Sequence, residues 1–362
     1  MDVELGRRRR RLTGLIAGLL AAVLLPTAGY AALTGEPDTR TGPTRTAVPQ
    51  AAADADGELI AAVGDIACAP TNLVYRGGEG SPAGCRERKV ADLLAGQRLA
   101  AFLPLGDLQY EKGRAEEFAN VYDQFFGPYK AISRPVPGNH EYQTSEAAGY
   151  YGYFGKSAEQ ENTYGVPGAY SYEIGSWHMI AINSNLCSPQ SRCDKGSKMM
   201  TWLTADMAAH PNRCTLAYWH HPLWSAGHHG DYAPMTPVWN ALLDGGVDVV
   251  LVSHDHNYQR FVPLGRATAN SVSAMAPPVI VPEDKGIRQF IVGTGGANNY
   301  DVADETERPD LAGRIAARYA DTTVALFGML FVRLAEGGYS WEFVQAQPAP
   351  VAFHDAGTGT CH

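Results

Sequence analysis

Five times along this chain a short apolar run ends at a glycine or turn residue, and side chains able to ligate metal come immediately after. Residues 59–63 lead into Gly64-Asp65, and residues 102–105 into Gly106-Asp107-Leu108-Gln109-Tyr110. Pro135-Val136-Pro137 leads into Gly138-Asn139-His140-Glu141, residues 216–219 into His220-His221, and residues 247–252 into Ser253-His254-Asp255-His256. Short apolar runs of this kind read as buried central strands rather than amphipathic helices. In an open α/β sheet, ligands gather outside the carboxyl ends of such strands. Five chelating strand ends therefore predict one polynuclear metal site.

The spacing between these runs sets the fold class. Strand-like stretches at 59–63, 102–105, 177–183, 216–219, 247–252, 289–292 and 329–334 alternate with helix-patterned segments at 86–96, 115–126, 199–210 and 236–245. Such alternation implies α/β layers; by itself it does not choose between one sheet and two. Residues 264–286, with Pro277, Pro278 and Pro282, read as a long excursion between strands.

Taken in order, the motifs GD, GDxxY, GNHE, a His after a strand, and HxH resemble the calcineurin-like metallophosphoesterases. Tyr110, third after Asp107, is similar to the purple acid phosphatase branch, and the resemblance runs from Leu59 to Phe343. Ala67, Ala217 and Ser253 depart from the family pattern, at positions that are not ligands. The resemblance implies a four-layer α/β/β/α sandwich with two mixed sheets and a pair of metal ions. The first ion would be held by Asp65, Asp107, Tyr110 and His256. The second would take Asp107 as a bridge together with Asn139, His220 and His254.

The donor chemistry agrees with that division. Two carboxylates and a phenolate make a hard environment, and a phenol that ionises near pH 10 when free needs a strongly charged cation to stay deprotonated. Fe(III) is expected at the Tyr110 site. Two imidazoles, an amide and a shared carboxylate suit Zn(II), Mn(II) or Fe(II) at the other. The expected reaction is hydrolysis of a small phosphate ester by a metal-activated hydroxide, with no covalent phosphoenzyme. His140 is expected to stabilise the transferring phosphoryl group or protonate the leaving alcohol. In the family, histidines of the loop that matches residues 225–230 face the substrate, which makes His229 a second candidate for substrate binding.

Other polar residues have plainer readings. His178 and His210 read as hydrogen-bonded structural imidazoles, and His354 and His362 as a solvated tail. His221 adjoins a ligand but points elsewhere if its segment is extended; packing behind the ligands in a supporting role is the alternative. Asp255 would orient the histidines beside it, and Glu141 would hold His140 or cap the next segment. The cluster Tyr150, Tyr151, Tyr153 and Phe154 reads as packing under a loop, with the lining of an aryl or nucleoside pocket as the alternative. Thr294-Gly295-Gly296 lacks the Lys and Ser/Thr of a phosphate-cradling loop and reads as a tight turn.

The amino terminus carries an address. Arg7–Arg11 and then the apolar residues 12–25 have the two regions of an export signal, with Gly29-Tyr30-Ala31 suiting cleavage after Ala31. An uncleaved anchor is the alternative, because residues 15–33 carry no charge over about one bilayer span. Residues 1–31 thus read as a signal peptide or anchor, 32–57 as a flexible Thr/Pro/Ala linker, 58–346 as the catalytic domain, and 347–362 as a tail tied by a disulfide. These readings imply a secreted or cell-surface location, with no stable membrane partner unless the leader is retained. Beyond residue 31, 24 Lys and Arg face 36 Asp and Glu, a net charge of −12. That balance argues against nucleic acid as a partner. Six cysteines in an exported chain suggest disulfides. Nearest-neighbour logic pairs Cys68 with Cys85 and Cys187 with Cys193, leaving Cys214 for Cys361; thiolate ligation of metal has no CxxC spacing behind it.

The leading expectation is an exported binuclear phosphomonoesterase. A phosphodiesterase using the same metals, and a non-catalytic wall-associated protein that keeps the fold, are the alternatives.

Overall fold

The computed structural model describes residues 56–362 apart from 159–161, 189–192, 212–213, 272–273, 320–323, 348 and 350. The anticipated leader, and the linker up to residue 55, lie outside the described residues. No helix among the described residues is long and apolar enough to cross a membrane.

Fourteen strands among the described residues build two mixed sheets and one small hairpin. In chain order they are β1 Glu58–Val63, β2 Ala101–Pro104, β3 Tyr170–Ile174, β4 Trp177–Ala181, β5 Cys214–Tyr218, β6 Val249–Val252 and β7 Tyr258–Phe261, then β8 Ala269–Ser271, β9 Ala274–Met275, β10 Arg288–Val292, β11 Ile315–Arg318, β12 Gly328–Ala335, β13 Gly338–Gln345 and β14 Asp355–Thr360. The five-stranded sheet runs β14-β13-β12-β1-β2 and the seven-stranded sheet β11-β7-β10-β6-β5-β4-β3. The seven-stranded sheet is parallel at its centre, β4 on β5, β5 on β6 and β6 on β10, whereas the five-stranded sheet has its parallel pair, β1 on β2, at one edge. The remaining pairings of both sheets are antiparallel. The architecture is the expected α/β sandwich with two mixed sheets.

Period-two alternation divides the core. Met179, Leu216, Tyr218, Val249 and Leu251 join a cluster that also contains Ile60, Leu103, Leu330 and Trp341 of the five-stranded sheet. Their sequence neighbours Ile180, Ala217, Trp219, Val250 and Val252 face the other way and pack on Trp202, Leu203, Trp239 and Leu242 of the helices Lys198–Ala209 and Thr236–Asp244. A strand buried on both faces must be apolar throughout, which is why these runs read so plainly.

The remaining differences have local causes. Helical residues 115–126 are interrupted by a π-helical turn at Phe118–Tyr122. The segment expected as a helix over 86–96 is helical at Glu87–Ala91, tightens to a 3-10 turn at Asp92–Leu94 and stops before Gly96. The excursion at 264–286 contains the hairpin β8–β9. His362 is not a solvated tail residue: β14 is an edge strand, and the His362 ring lies 2.9 Å from Asp248 Oδ1. Cys68–Cys85, Cys187–Cys193 and Cys214–Cys361 form the three expected disulfides, the last fixing the end of the chain to β5.

His178 is structural, as expected. Its Nδ1 lies 2.7 Å from Glu173 Oε1 and its Nε2 2.9 Å from Asp206 Oδ2, while His210 stacks on its ring. Burial works against charge on the ring, but the hydrogen bonds to Asp206 and Glu173 win and raise its pKa. A raised folded-state pKa stabilises below the unfolded value of about 6.5, and the contribution fades as pH climbs through the folded value. His178→Gln is therefore expected to lower Tm by about 2–4 °C at pH 5 to 6, and by progressively less toward alkaline pH. Thermal melts across that range check it; a gap that widens with pH contradicts it.

Candidate metal centre

Four of the five runs are strands whose ends converge; the fifth, Pro135-Val136-Pro137, is an extended segment and not the expected strand, since its two prolines have no amide to give a sheet ladder. Asp65 comes after β1, Asp107 and Tyr110 after β2, His220 after β5 and His254 and His256 after β6. Asn139 and His140 arrive on the segment whose Val136 amide donates to the Pro104 carbonyl at the end of β2. Asp65, Asp107 and His254 hold φ of 57°, 49° and 70°, a region costly for residues with a side chain. Such conformations persist where the surroundings over-determine them, and they concentrate at functional sites. Close approach sets the glycines here: a Cβ on Gly106 would lie 2.6 Å from His220 Nδ1, and one on Gly138 2.2 Å from Asp107 Oδ1.

Two groups of donors result, sharing Asp107. In the first, Tyr110 Oη stands 2.9 Å from both Asp65 Oδ1 and His256 Nε2, and 3.4 Å from Asp107 Oδ2. In the second, His220 Nε2 stands 3.2 Å from Asp107 Oδ2, 3.2 Å from Asn139 Oδ1 and 3.1 Å from His254 Nδ1. Ligand atoms of Asp65, Asp107 and His220 lie within 4.8 Å of one another, as do those of His220, His221 and His254. All seven residues named from the sequence as ligands are thus brought to one place.

The imidazoles are turned for coordination. His220 Nδ1 lies 2.9 Å from the Leu105 carbonyl, which can only accept, so Nδ1 carries the proton and Nε2 offers its lone pair inward. His256 Nδ1 lies 2.6 Å from Asn298 Oδ1, leaving Nε2 toward Tyr110 in the same way. Ser253, one of the departures from the family pattern, donates its hydroxyl to the Leu105 carbonyl at 2.6 Å and sits 2.9 Å from His220 Nδ1. The departure therefore adds a hydroxyl to the set that orients His220.

The charge balance calls for cations. Asp65, Asp107 and Glu141 are fully or almost fully buried. Among the described residues the ion pairs of Asp65 and Asp107 are with histidines. Burying carboxylates without firm counter-charge is expensive. Burial opposes ionisation of Asp107, yet His220, His140 and His254 hold its carboxyl well below the usual range. Burial likewise opposes a charged His220, but Asp107 raises it to about 9. Burial, then Asp65 and Asp107, push the Tyr110 phenol well above its ordinary value. A cation among these donors would relieve the crowded negative charge and favour the phenolate. The donor set fits metal.

The remaining residues singled out from the sequence surround this centre. His140 is half-buried beside the cluster: its amide donates to Asp107 Oδ1 at 2.7 Å, its Nδ1 lies 2.6 Å from the Glu111 carbonyl, and its Nε2 is 3.9 Å from Asp107 Oδ2. His229 is exposed on the rim, stacked 4.3 Å over the His254 ring. The hydrogen bonds of Asp255 go elsewhere than to the rings beside it. It accepts from the Ser225 hydroxyl and from the His229 amide at 2.7 Å, and so pins the 225–230 loop to the centre.

Four further contributors support the donors: sequence reasoning left the roles of Glu141 and His221 open and missed Asn298 and Tyr300. Glu141 accepts from the amides of Gly138 at 2.7 Å, Asp107 and Leu108 at 2.9 Å and Gln109 at 3.3 Å, so it fixes the ligand loop rather than holding the His140 ring. Burial and Asp107 raise its carboxyl to about 7. His221 does not point away: its ring lies 4.6 Å from that of His254, and Ser184 Oγ holds its Nδ1 at 2.8 Å. Asn298 orients His256, and Tyr300 stacks on His256 at 4.3 Å. The signal for these last two was the apolar run ending at Gly293-Thr294-Gly295-Gly296, a further strand end, that of β10. Its Gly295 amide bonds to the Gly64 carbonyl at 3.0 Å beside Asp65.

The family model for calcineurin-like phosphoesterases matches residues 59–258, more than half of the chain, and the protein belongs to that family. Among solved structures, purple acid phosphatase PPD1 from yellow lupin (Lupinus luteus) seeds is similar at a TM-score of 0.55 and 17% identity, over 84% of this chain and 54% of that one. GAP50, described as the anchor in the inner membrane complex of Plasmodium, gives 0.53 and 12%, over 84% and 89%. PhoD gives 0.52 and 12%, over 85% and 70%. Identities this low speak to fold alone, and this chain spans about half the length of the lupin phosphatase. Comparison with curated proteins gave no match. Fold, family and the clustered Asp and His side chains together define a metallophosphoesterase-type hydrolase with donors for a binuclear centre.

Proposed function

We propose that the protein is an exported phosphomonoesterase of the purple acid phosphatase kind. The observation that carries this is Tyr110, whose hydroxyl stands 2.9 Å from both Asp65 and His256 and supplies a phenol to the first donor group. Asp65, Asp107, Tyr110 and His256 would hold Fe(III), and Asp107, Asn139, His220 and His254 would hold Zn(II), Mn(II) or Fe(II). When bound, such a pair lowers the pKa of water and clamps the attacking and leaving oxygens of an in-line displacement. Three disulfides support export to an oxidising compartment.

The chain's own groups do the remaining work. With Nδ1–H given to the Glu111 carbonyl, the imidazolium form of His140 presents Nε2–H to the site. From there it donates to a phosphoryl oxygen or hands its proton to the departing alkoxide. Glu141 keeps the Asp107 loop in register through its amide contacts. His229 on the rim donates to the phosphoryl group once the ester is seated. The acidic surface leaves small esters, rather than nucleic acid, as the substrates.

The same donors serve a diesterase, and GAP50, whose description is that of an anchor, shows why a non-catalytic role stays under test. Paired assays separate the three. Initial rates on 4-nitrophenyl phosphate are expected to exceed those on its bis-ester by at least about tenfold in kcat/KM. A diester preference supports the second reading, and silence on both from fully metallated protein supports the third.

A further inference from the structure

A cavity of about 930 Å³ has Tyr142, Tyr151, Gly152, Val166 and Pro167 among its walls, together with the exposed Glu146. Tyr142 belongs to the turn Glu141–Gln143, directly after His140. Asn183, just past β4, donates Nδ2 to the Tyr142 hydroxyl at 2.8 Å and to the Pro167 carbonyl at 3.1 Å. The next residue, Ser184, holds the His221 ring that packs on His254. Cavity floor and donor cluster therefore share one strand end. Gly168 admits the second tyrosine: a Cβ there would lie 2.7 Å from Tyr151 Oη and 3.2 Å from Asn183 Nδ2.

Two further observations mark the cavity as built. Glu146 and Ala147 both hold φ of 51°, adjacent non-glycine residues in the left-handed region, at the joint between the His140 turn and the helix Ala148–Phe154. Consecutive strain of that kind needs a surrounding that enforces it. The aromatic residues of that helix also divide their labour. Tyr150 and Phe154 are buried in the core, whereas Tyr151, half-buried against the same core, also lines the cavity.

The lining selects a ligand chemistry. Among the described residues no Lys or Arg lines the cavity, and the charged side chain there is the exposed carboxylate of Glu146. A second phosphate has no partner in such a space. Flat tyrosine faces beside Val and Pro favour a planar ring. We propose that this cavity seats the leaving group of the ester, an uncharged aromatic alcohol, between Tyr142 and Tyr151, and so selects aryl phosphomonoesters. This rests on the phosphatase reading above.

The test uses 2-naphthol, the alcohol without its phosphate, and 2-naphthyl phosphate. Gly152 is the position to block, since a Cβ there meets nothing within 4 Å and the residue sits in a helix. Gly152→Phe is expected to weaken 2-naphthol binding, measured by fluorescence titration, by about tenfold or more. It is also expected to cut the ratio of kcat/KM for 2-naphthyl phosphate over glycerol phosphate by about tenfold, with the melting temperature kept. Should Gly152→Phe fail to fold, Tyr151→Ala reads out the same two quantities. Wild-type protein that does not bind 2-naphthol, or a ratio unmoved by either variant while both esters are cleaved, overturns the proposal. Naphthol binding that the variant removes, in a protein that cleaves neither ester, overturns the phosphatase reading and leaves the aromatic seat supported.

Discussion

Asp107→Ala is expected to lower turnover of an aryl phosphate by about 10³-fold or more, because Lewis-acid stabilisation worth several kcal/mol leaves with the metals. Asp107 is the carboxylate that both donor groups use. Its Oδ2 stands 3.2 Å from His220 Nε2 and 3.4 Å from Tyr110 Oη, and its Oδ1 receives the His140 amide. Removing it deletes a ligand from each group at once. The surrounding loop should survive, since Glu141 holds the amides of 107–109 through the backbone. Elemental analysis and initial rates on the folded variant check the result: metal content should fall together with rate. An Asp107→Ala protein that keeps its full metal complement and its rate contradicts a shared ligand.

His140→Ala separates catalysis from metal binding. Its ring is anchored by the Glu111 carbonyl and stands 4.3 Å from the Tyr110 ring, with Nε2 3.9 Å from Asp107. The metal content should therefore stay as in the wild type while kcat drops by about 10²–10³-fold. The choice of substrate refines the role. If His140 protonates the leaving oxygen, the loss is larger for glycerol phosphate than for 4-nitrophenyl phosphate, whose phenol departs without help. An equal loss on both places its proton on the phosphoryl oxygens. An unchanged kcat on both removes His140 from the reaction.

Much of this was legible because central strands of a two-sheet sandwich are apolar along their whole length. Residues 216–219 and 247–252 announce β5 and β6, and the chelating residues after them mark the site. The outer strands are quieter. β13 alternates buried and half-exposed residues, and β14 is largely Gly and Thr, so neither gives an unbroken run. β3, at the sheet edge, carries the polar Ser171 and Glu173, which bond to Asp206 and His178. Sequence also reads ligands better than the groups that hold them. Glu141 grips four amides by a tertiary contact that no spacing encodes, and Asn298 and Tyr300 reach His256 from a strand end whose glycines read only as packing. The disulfide pairing came from proximity along the chain, because two of the three bridges clip local loops.

Metal content and visible absorption of the native protein, each repeated on Tyr110→Phe, test the central claim most directly. Two metal ions per chain, one of them iron, with a visible band that Tyr110→Phe abolishes, is the predicted result, since an Fe(III)–phenolate pair is coloured. A native protein holding one ion or none, or a band that survives Tyr110→Phe, would contradict it.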